Sequence, residues 1–115
     1  VCYVGMAPST VLRGHLDRHG IIDLFDHWSF SDEVGSYKPN RKIFEHALDG
    51  LGGVDPQRVV HVGDLRRTDI AGALGMGMTA VRYRGRKDDP AGPGLPEGHF
   101  VLDDHADLVG LLGLV

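Results

Sequence analysis

The sequence predicts an α/β fold, a mainly parallel β-sheet with helices on both faces. Short apolar, β-prone runs alternate with helical apolar patterns from one end of the chain to the other. The helical stretches are long enough to carry crossovers between parallel strands, and such crossovers are right-handed, which distributes helices over both faces of the sheet. Glycine and proline punctuate the joins.

The elements follow in order. Val1 to Val4 is a β-prone run ending at Gly5. Ser9 is placed to cap a helix that carries Val11, Leu12 and Leu16 on one side and stops at Gly20. A turn through Asp23 and Asp26 leads to a short strand at Trp28-Ser29-Phe30. Pro39 and Asn40 open the clearest helix, whose apolar residues Ile43, Phe44, Ala47, Leu48 and Leu51 share one face before Gly52 and Gly53 end it. Arg58 to Val62 reads as a strand running into Gly63-Asp64. A helix through Ile70, Ala71, Ala73 and Leu74 ends near Gly75-Met76-Gly77, and Thr79 to Tyr83 is the next strand. Residues 84 to 98 form a loop by composition. Phe100 to Leu102 is a last strand and Ala106 to Leu112 a last helix.

Composition narrows the function classes. The 115 residues suffice for one small domain. A formal charge of −4, with both signs mixed along the chain, is no footprint for nucleic acid. No apolar run approaches the roughly 20 residues that a membrane span requires. Cys2 is the single cysteine, which excludes a disulfide framework and a cysteine metal cluster and points to the cytoplasm. The chain opens inside an apparent strand, as a piece of a longer protein would.

Ligands of parallel α/β sheets bind beyond the carboxyl ends of the strands. Gly5, the loop from Ser31 to Lys38 and the Gly63-Asp64 turn all lie at such ends. The most informative segment is His61-Val62-Gly63-Asp64-Leu65-Arg66-Arg67-Thr68-Asp69-Ile70-Ala71-Gly72-Ala73. A hydrophobic strand delivers Asp64 to its tip, and Asp69 falls in the first turn of the next helix. Two carboxylates there suit Mg²⁺, which takes oxygen ligands and keeps several waters. Taken alone, the same residues also read as a strand end and a helix cap.

The longer pattern resembles the haloacid dehalogenase superfamily of hydrolases, in the branch with a helical cap inserted upstream. Ile21 to Asp26 is similar to the stretch before the family's third strand. Ser31-Asp32-Glu33-Val34-Gly35-Ser36-Tyr37-Lys38-Pro39 resembles its lysine motif, and Ile43 to Leu48 the helix that follows. His61 to Ala73 resembles its acidic metal motif, and Gly75 to Val81 its next helix-strand join. The resemblance covers roughly residues 1 to 83 in the right order. It implies a Rossmann-like core with residues 1–115 as its C-terminal portion, incomplete without the part that precedes it.

It also implies roles. In the family an aspartate on the first strand attacks a phosphoryl group to give an aspartyl-phosphate, and a second aspartate two positions later is general acid and base. Lys38 matches the lysine that neutralises nucleophile and phosphate, a fixed cation offsetting charge on the phosphoryl oxygens. Asp64 matches a Mg²⁺ ligand, with Asp69 a second ligand or an orienting group behind it.

Two departures stand out. No Asp-x-Asp follows an upstream strand, so the 115-residue polypeptide alone is expected to show no turnover. Where the family carries a serine or threonine that binds phosphate, this chain has Gly5 and Met6, which leaves only backbone amides for that task. In the family the nucleophile strand lies between the strands ending at Gly5 and at Asp64. Its place is expected to be filled by a preceding segment or a second protomer, or closed by direct pairing of the two edges.

The leading expectation is a Mg²⁺-dependent phosphatase of small phosphorylated metabolites. The alternatives are a non-catalytic binding module of the same fold and a 2-haloacid dehalogenase. Other residues read as structure: His15 and His19 as an exposed helical pair, His61 as a strand residue under a helix, Trp28 and Phe30 as core or its rim. Arg66 and Arg67 read as solvated, and Arg82, Arg84, Arg86 and Lys87 with Asp88 and Asp89 as a mixed-charge surface loop.

Overall fold

A computed structural model describes residues 1 to 114. The chain divides into two compact units, Val1–Val54 and the residues from Asp55 onward, and each is described by itself.

The first unit is mostly helical. α1 spans Ser9–Arg18, α2 Ser31–Val34 and α3 Arg41–Gly50. The amphipathic pattern of α3 is realised: Ile43 and Phe44 are fully buried and Leu48 nearly so. Burial of each stabilises the unit by about 1.5–3 kcal/mol. Leu51, read as the last residue of that face, is the helix C-cap and 46% exposed, because the chain turns away at Gly52 and Gly53.

Three expectations change here. The predicted strands Val1 to Val4 and Trp28 to Phe30 contract to a single parallel bridge between Cys2 and Phe30. It is held by Cys2 N–H donating to the Ser29 carbonyl and Ser31 N–H donating to the Cys2 carbonyl. Ser9 does not cap α1. It is the first helical residue, it is buried, and its N–H donates to Asp32 Oδ2 at 2.9 Å. An orphan amide at the helix start is thus satisfied from α2 rather than locally, and that hydrogen bond holds the Asp32 carboxyl below the ordinary range.

The second unit is the α/β part. β1 (Val60–Gly63), β2 (Thr79–Tyr83) and β3 (Phe100–Leu102) form a parallel sheet in the order β1-β2-β3. The first strand begins two residues later than the apolar run suggested, because Pro56–Arg58 forms a 3₁₀ turn capped by the Asp55 side chain. Between β1 and β2 the chain makes a wide π-type turn, Arg66–Ile70, which runs into α4 (Ala71–Gly75). A 3₁₀ turn, His105–Asp107, precedes α5 (Leu108–Leu111).

Ala80, Val81 and Arg82 are consecutive and all buried, so both faces of the central strand β2 are covered, as a parallel sheet requires. Ile70, Ala73, Met76, Met78 and Leu102 complete this core. β1 ladders only with β2, and its other edge carries no strand partner among the described residues. No helix among the described residues is long and apolar enough to cross a membrane.

Two corrections concern charge. Arg66 is 5% exposed and Arg82 1% exposed, so neither is the solvated side chain that the sequence suggested. Arg82 donates to Asp88 at 2.6 Å and to Glu97 at 2.9 Å. Arg66 donates to Glu97, through Nε to the Asp89 carbonyl at 2.9 Å, and through its backbone N–H to Asp89 Oδ2 at 2.8 Å. These bonds tie the glycine- and proline-rich loop, residues 84 to 98, to β2 and to the turn after β1.

Candidate active site

The second unit builds its site from the alternation of β1. His61 and Gly63 are two residues apart and therefore share one face of the strand. The π-type turn brings Asp69 back over that face, where it is 1% exposed. Its Oδ1 lies 2.9 Å from His61 Nε2, and its Oδ2 accepts the Leu65 N–H at 3.1 Å. Only glycine fits beneath it: a Cβ on Gly63 would overlap the Asp69 carboxyl group.

Asp64 has the opposite character. It follows the strand tip, is exposed, and makes no hydrogen bond or ion pair among the described residues. It lines a cleft of about 390 Å³ with Gly63, Tyr83, Arg86, Lys87 and His105. The turn therefore presents one carboxylate outward and locks the other behind it. Among the described residues, no group of three or more His, Cys, Asp or Glu side chains is arranged to hold a metal ion. A protein cage for a cation is not what the turn offers. One exposed carboxylate does fit the way Mg²⁺ is bound, through one or two carboxylates with waters and substrate phosphate.

The first unit holds the remaining candidates. Lys38 is half-buried in the loop between α2 and α3, and the peptide bond that follows it, to Pro39, is cis. Gly5 and Met6 lie in a bend, with Met6 fully exposed. These two loops are neighbours: the rings of Tyr3 and Tyr37 meet edge to face at 5.9 Å, and Ser31 Oγ accepts the Val4 N–H at 2.7 Å. The structure thus brings the Lys38 loop to the Gly5-Met6 bend within one unit, and Asp64 to Asp69 within the other.

The sequence reading missed His61 as the partner of Asp69. The signal was present, since His61 and Gly63 share a face and Gly63 marks a close approach. It also missed Tyr83 and His105, whose rings stack at 4.2 Å with 19° between planes. No local pattern announces that contact, because it joins the end of one strand to a turn 22 residues later in the chain.

Comparison with known proteins identifies the family to which the chain belongs. A family model for haloacid dehalogenase-like hydrolases matches residues 4–77. The chain is 43% identical over 70 residues to the pyrimidine 5'-nucleotidase YjjG of Escherichia coli K12, covering 61% of this chain and 31% of that protein. It is 48% identical over 66 residues to the glyceraldehyde 3-phosphate phosphatase of Methanothermobacter thermautotrophicus, covering 57% of this chain and 29% of that protein. The chain therefore spans about a third of the length of these curated relatives. The crystal structure of a HAD phosphatase from Thermococcus onnurineus superposes with a TM-score of 0.78 at 33% identity, over 93% of this chain and 47% of that one.

Proposed function

Because the chain belongs to the haloacid dehalogenase-like hydrolases, we propose that it contributes the lysine loop and the acidic turn of a Mg²⁺-dependent phosphatase. Its substrates are small phosphorylated metabolites of the cytoplasm, and the attacking aspartate lies outside these residues. The observation that carries this reading is the division of labour between the two acids of the turn. Asp64 is exposed and uncommitted at a strand tip, while Asp69 is buried and doubly engaged. The names of the two curated relatives, a nucleotidase and a phosphatase, support the phosphoryl substrate.

Each residue then has a task. Asp64 supplies a carboxylate oxygen to the cation. Asp69, held by His61 and by the Leu65 amide, fixes the backbone on which Asp64 stands. Lys38 supplies a positive charge beside the phosphoryl oxygens, and the backbone amides of Gly5 and Met6 face the same anion without a side-chain hydroxyl. When bound, Mg²⁺ would neutralise phosphate charge and so favour attack by an anionic nucleophile. The unpaired edge of β1, with Val60 37% exposed, receives the strand that bears the nucleophile, from a preceding segment or a second protomer.

The test is direct. Mn²⁺, a paramagnetic substitute, should broaden the amide resonances of Gly63, Asp64 and Leu65 selectively, and Mg²⁺ should restore them. Asp64→Ala should abolish the broadening. Unchanged broadening in that variant would remove the proposed metal role.

A further inference from the structure

The segment from Arg82 to Asp89 carries four cations, Arg82, Arg84, Arg86 and Lys87, against two carboxylates, Asp88 and Asp89. The fold sorts them. Asp88 pairs with Arg82 and Asp103 with Arg84, each at 2.6 Å, while the Asp89 carboxylate accepts the backbone N–H of Arg66. Arg86 and Lys87 are left with no carboxylate partner among the described residues, and both are exposed. Their position is set by Gly85, where a Cβ would overlap the Asp103 carbonyl and the Tyr83 ring. The backbone is therefore pressed against its neighbours immediately before the two cations. Both line the 390 Å³ cleft that also contains Asp64, with Tyr83 and His105 among its lining residues. Two exposed cations thus stand in one cleft with a single carboxylate.

We infer that this cleft binds a second anionic group of the substrate, through Arg86 and Lys87. The inference rests on the phosphatase reading, in which Asp64 serves the phosphoryl end through a divalent cation. Asp64 repels a bare anion, so the second group settles by the cations. The guanidinium of Arg86 offers paired N–H donors that match a carboxylate or phosphate edge, and Lys87 adds a point charge. The favoured ligand is a small metabolite with a phosphate at one end and another anionic oxygen group a few atoms away.

A matched pair of probes tests this on the ¹⁵N-labelled chain with Mg²⁺ present: 3-phosphoglycerate, which has the second anion, and glycerol 3-phosphate, which lacks it. Two exposed cation contacts predict about fivefold tighter binding of 3-phosphoglycerate, with shifts at Gly85, Arg86, Lys87 and His105. The R86Q/K87Q double variant should bring the two affinities together. Equal affinities in the parent chain, a preference that survives the double variant, or no shift at Arg86 and Lys87 with millimolar 3-phosphoglycerate would each overturn the inference. Failure of the underlying phosphatase reading looks different: Asp64→Asn would then leave Mg²⁺-dependent glycerol 3-phosphate binding as it was, whatever Arg86 and Lys87 do.

Discussion

Glu97 is the hinge pin of the charge network in the second unit, and removing it should cost more than removing the buried cation it serves. Glu97 accepts from both Arg66 and Arg82, whose side chains are 6% and 1% exposed, while its own is 51% exposed. Loss of one partner of a fully buried pair costs about 3–5 kcal/mol, because the remaining charge stays buried and uncompensated. Water can enter where Glu97 stood, and Asp88 still serves Arg82, so we take about half, ~2 kcal/mol, for Glu97→Ala. At roughly 4 °C per kcal/mol for a domain of this size, Tm should fall by about 8 °C. Arg82→Met is the informative contrast. It removes the buried charge and its Nε, which has no hydrogen-bond partner, yet keeps the apolar stem. It strands one carboxylate, Asp88, which is 60% exposed and hydrates readily, while Glu97, 51% exposed, keeps Arg66. Its cost should stay below about 1 kcal/mol. Thermal and urea unfolding of both variants decide the matter. A larger loss for Arg82→Met than for Glu97→Ala would refute the reasoning.

Two further outcomes follow from the same geometry. Hydrogen bonds from Arg82 and Arg66 hold Glu97 below the ordinary carboxylate range, and Arg84 does the same to Asp103. A depressed carboxylate contributes stability above its unfolded pKa and loses it as pH falls through the folded value. Protection of loop amides 84 to 98 against hydrogen exchange should therefore decline below about pH 4, and Glu97→Gln should flatten that decline; an identical pH profile in the variant would count against it. Gly63→Ala should displace the Asp69 carboxyl group, cost about 1–3 kcal/mol and abolish the selective Mn²⁺ broadening at Asp64. Retention of that broadening at parental strength would show that Asp69 does not position the turn.

The parts of the fold that were legible in the sequence are those governed by local periodicity. The apolar face of α3 and the runs that became β2 and β3 rest on side-chain spacing, and they appear where the pattern puts them. The weaker strands did not. Val1 to Val4 and Trp28 to Phe30 have β-prone residues, but a ladder depends on a neighbour, and propensity says nothing about how many rungs will form. The candidate acids were legible as a pair and illegible as unequal partners. Burial of Asp69 depends on His61, eight positions earlier, and on the missing Cβ of Gly63. The charged segment after β2 was the least readable. A string of mixed signs looks solvated until the fold decides which cations go inside, and here Arg82 goes in while its partner Asp88 stays at the surface.

The way Asp69 reaches back to the Leu65 amide while resting over Gly63 closes a short circuit of backbone. Such a circuit measures length. One residue more or fewer between positions 65 and 68 would swing the next helical side chain by about 100°, carrying the acid off the strand altogether. Arg67 and Thr68 can thus be exchanged for many residue types at little cost, whereas the number of residues separating the two acids is the quantity this turn fixes.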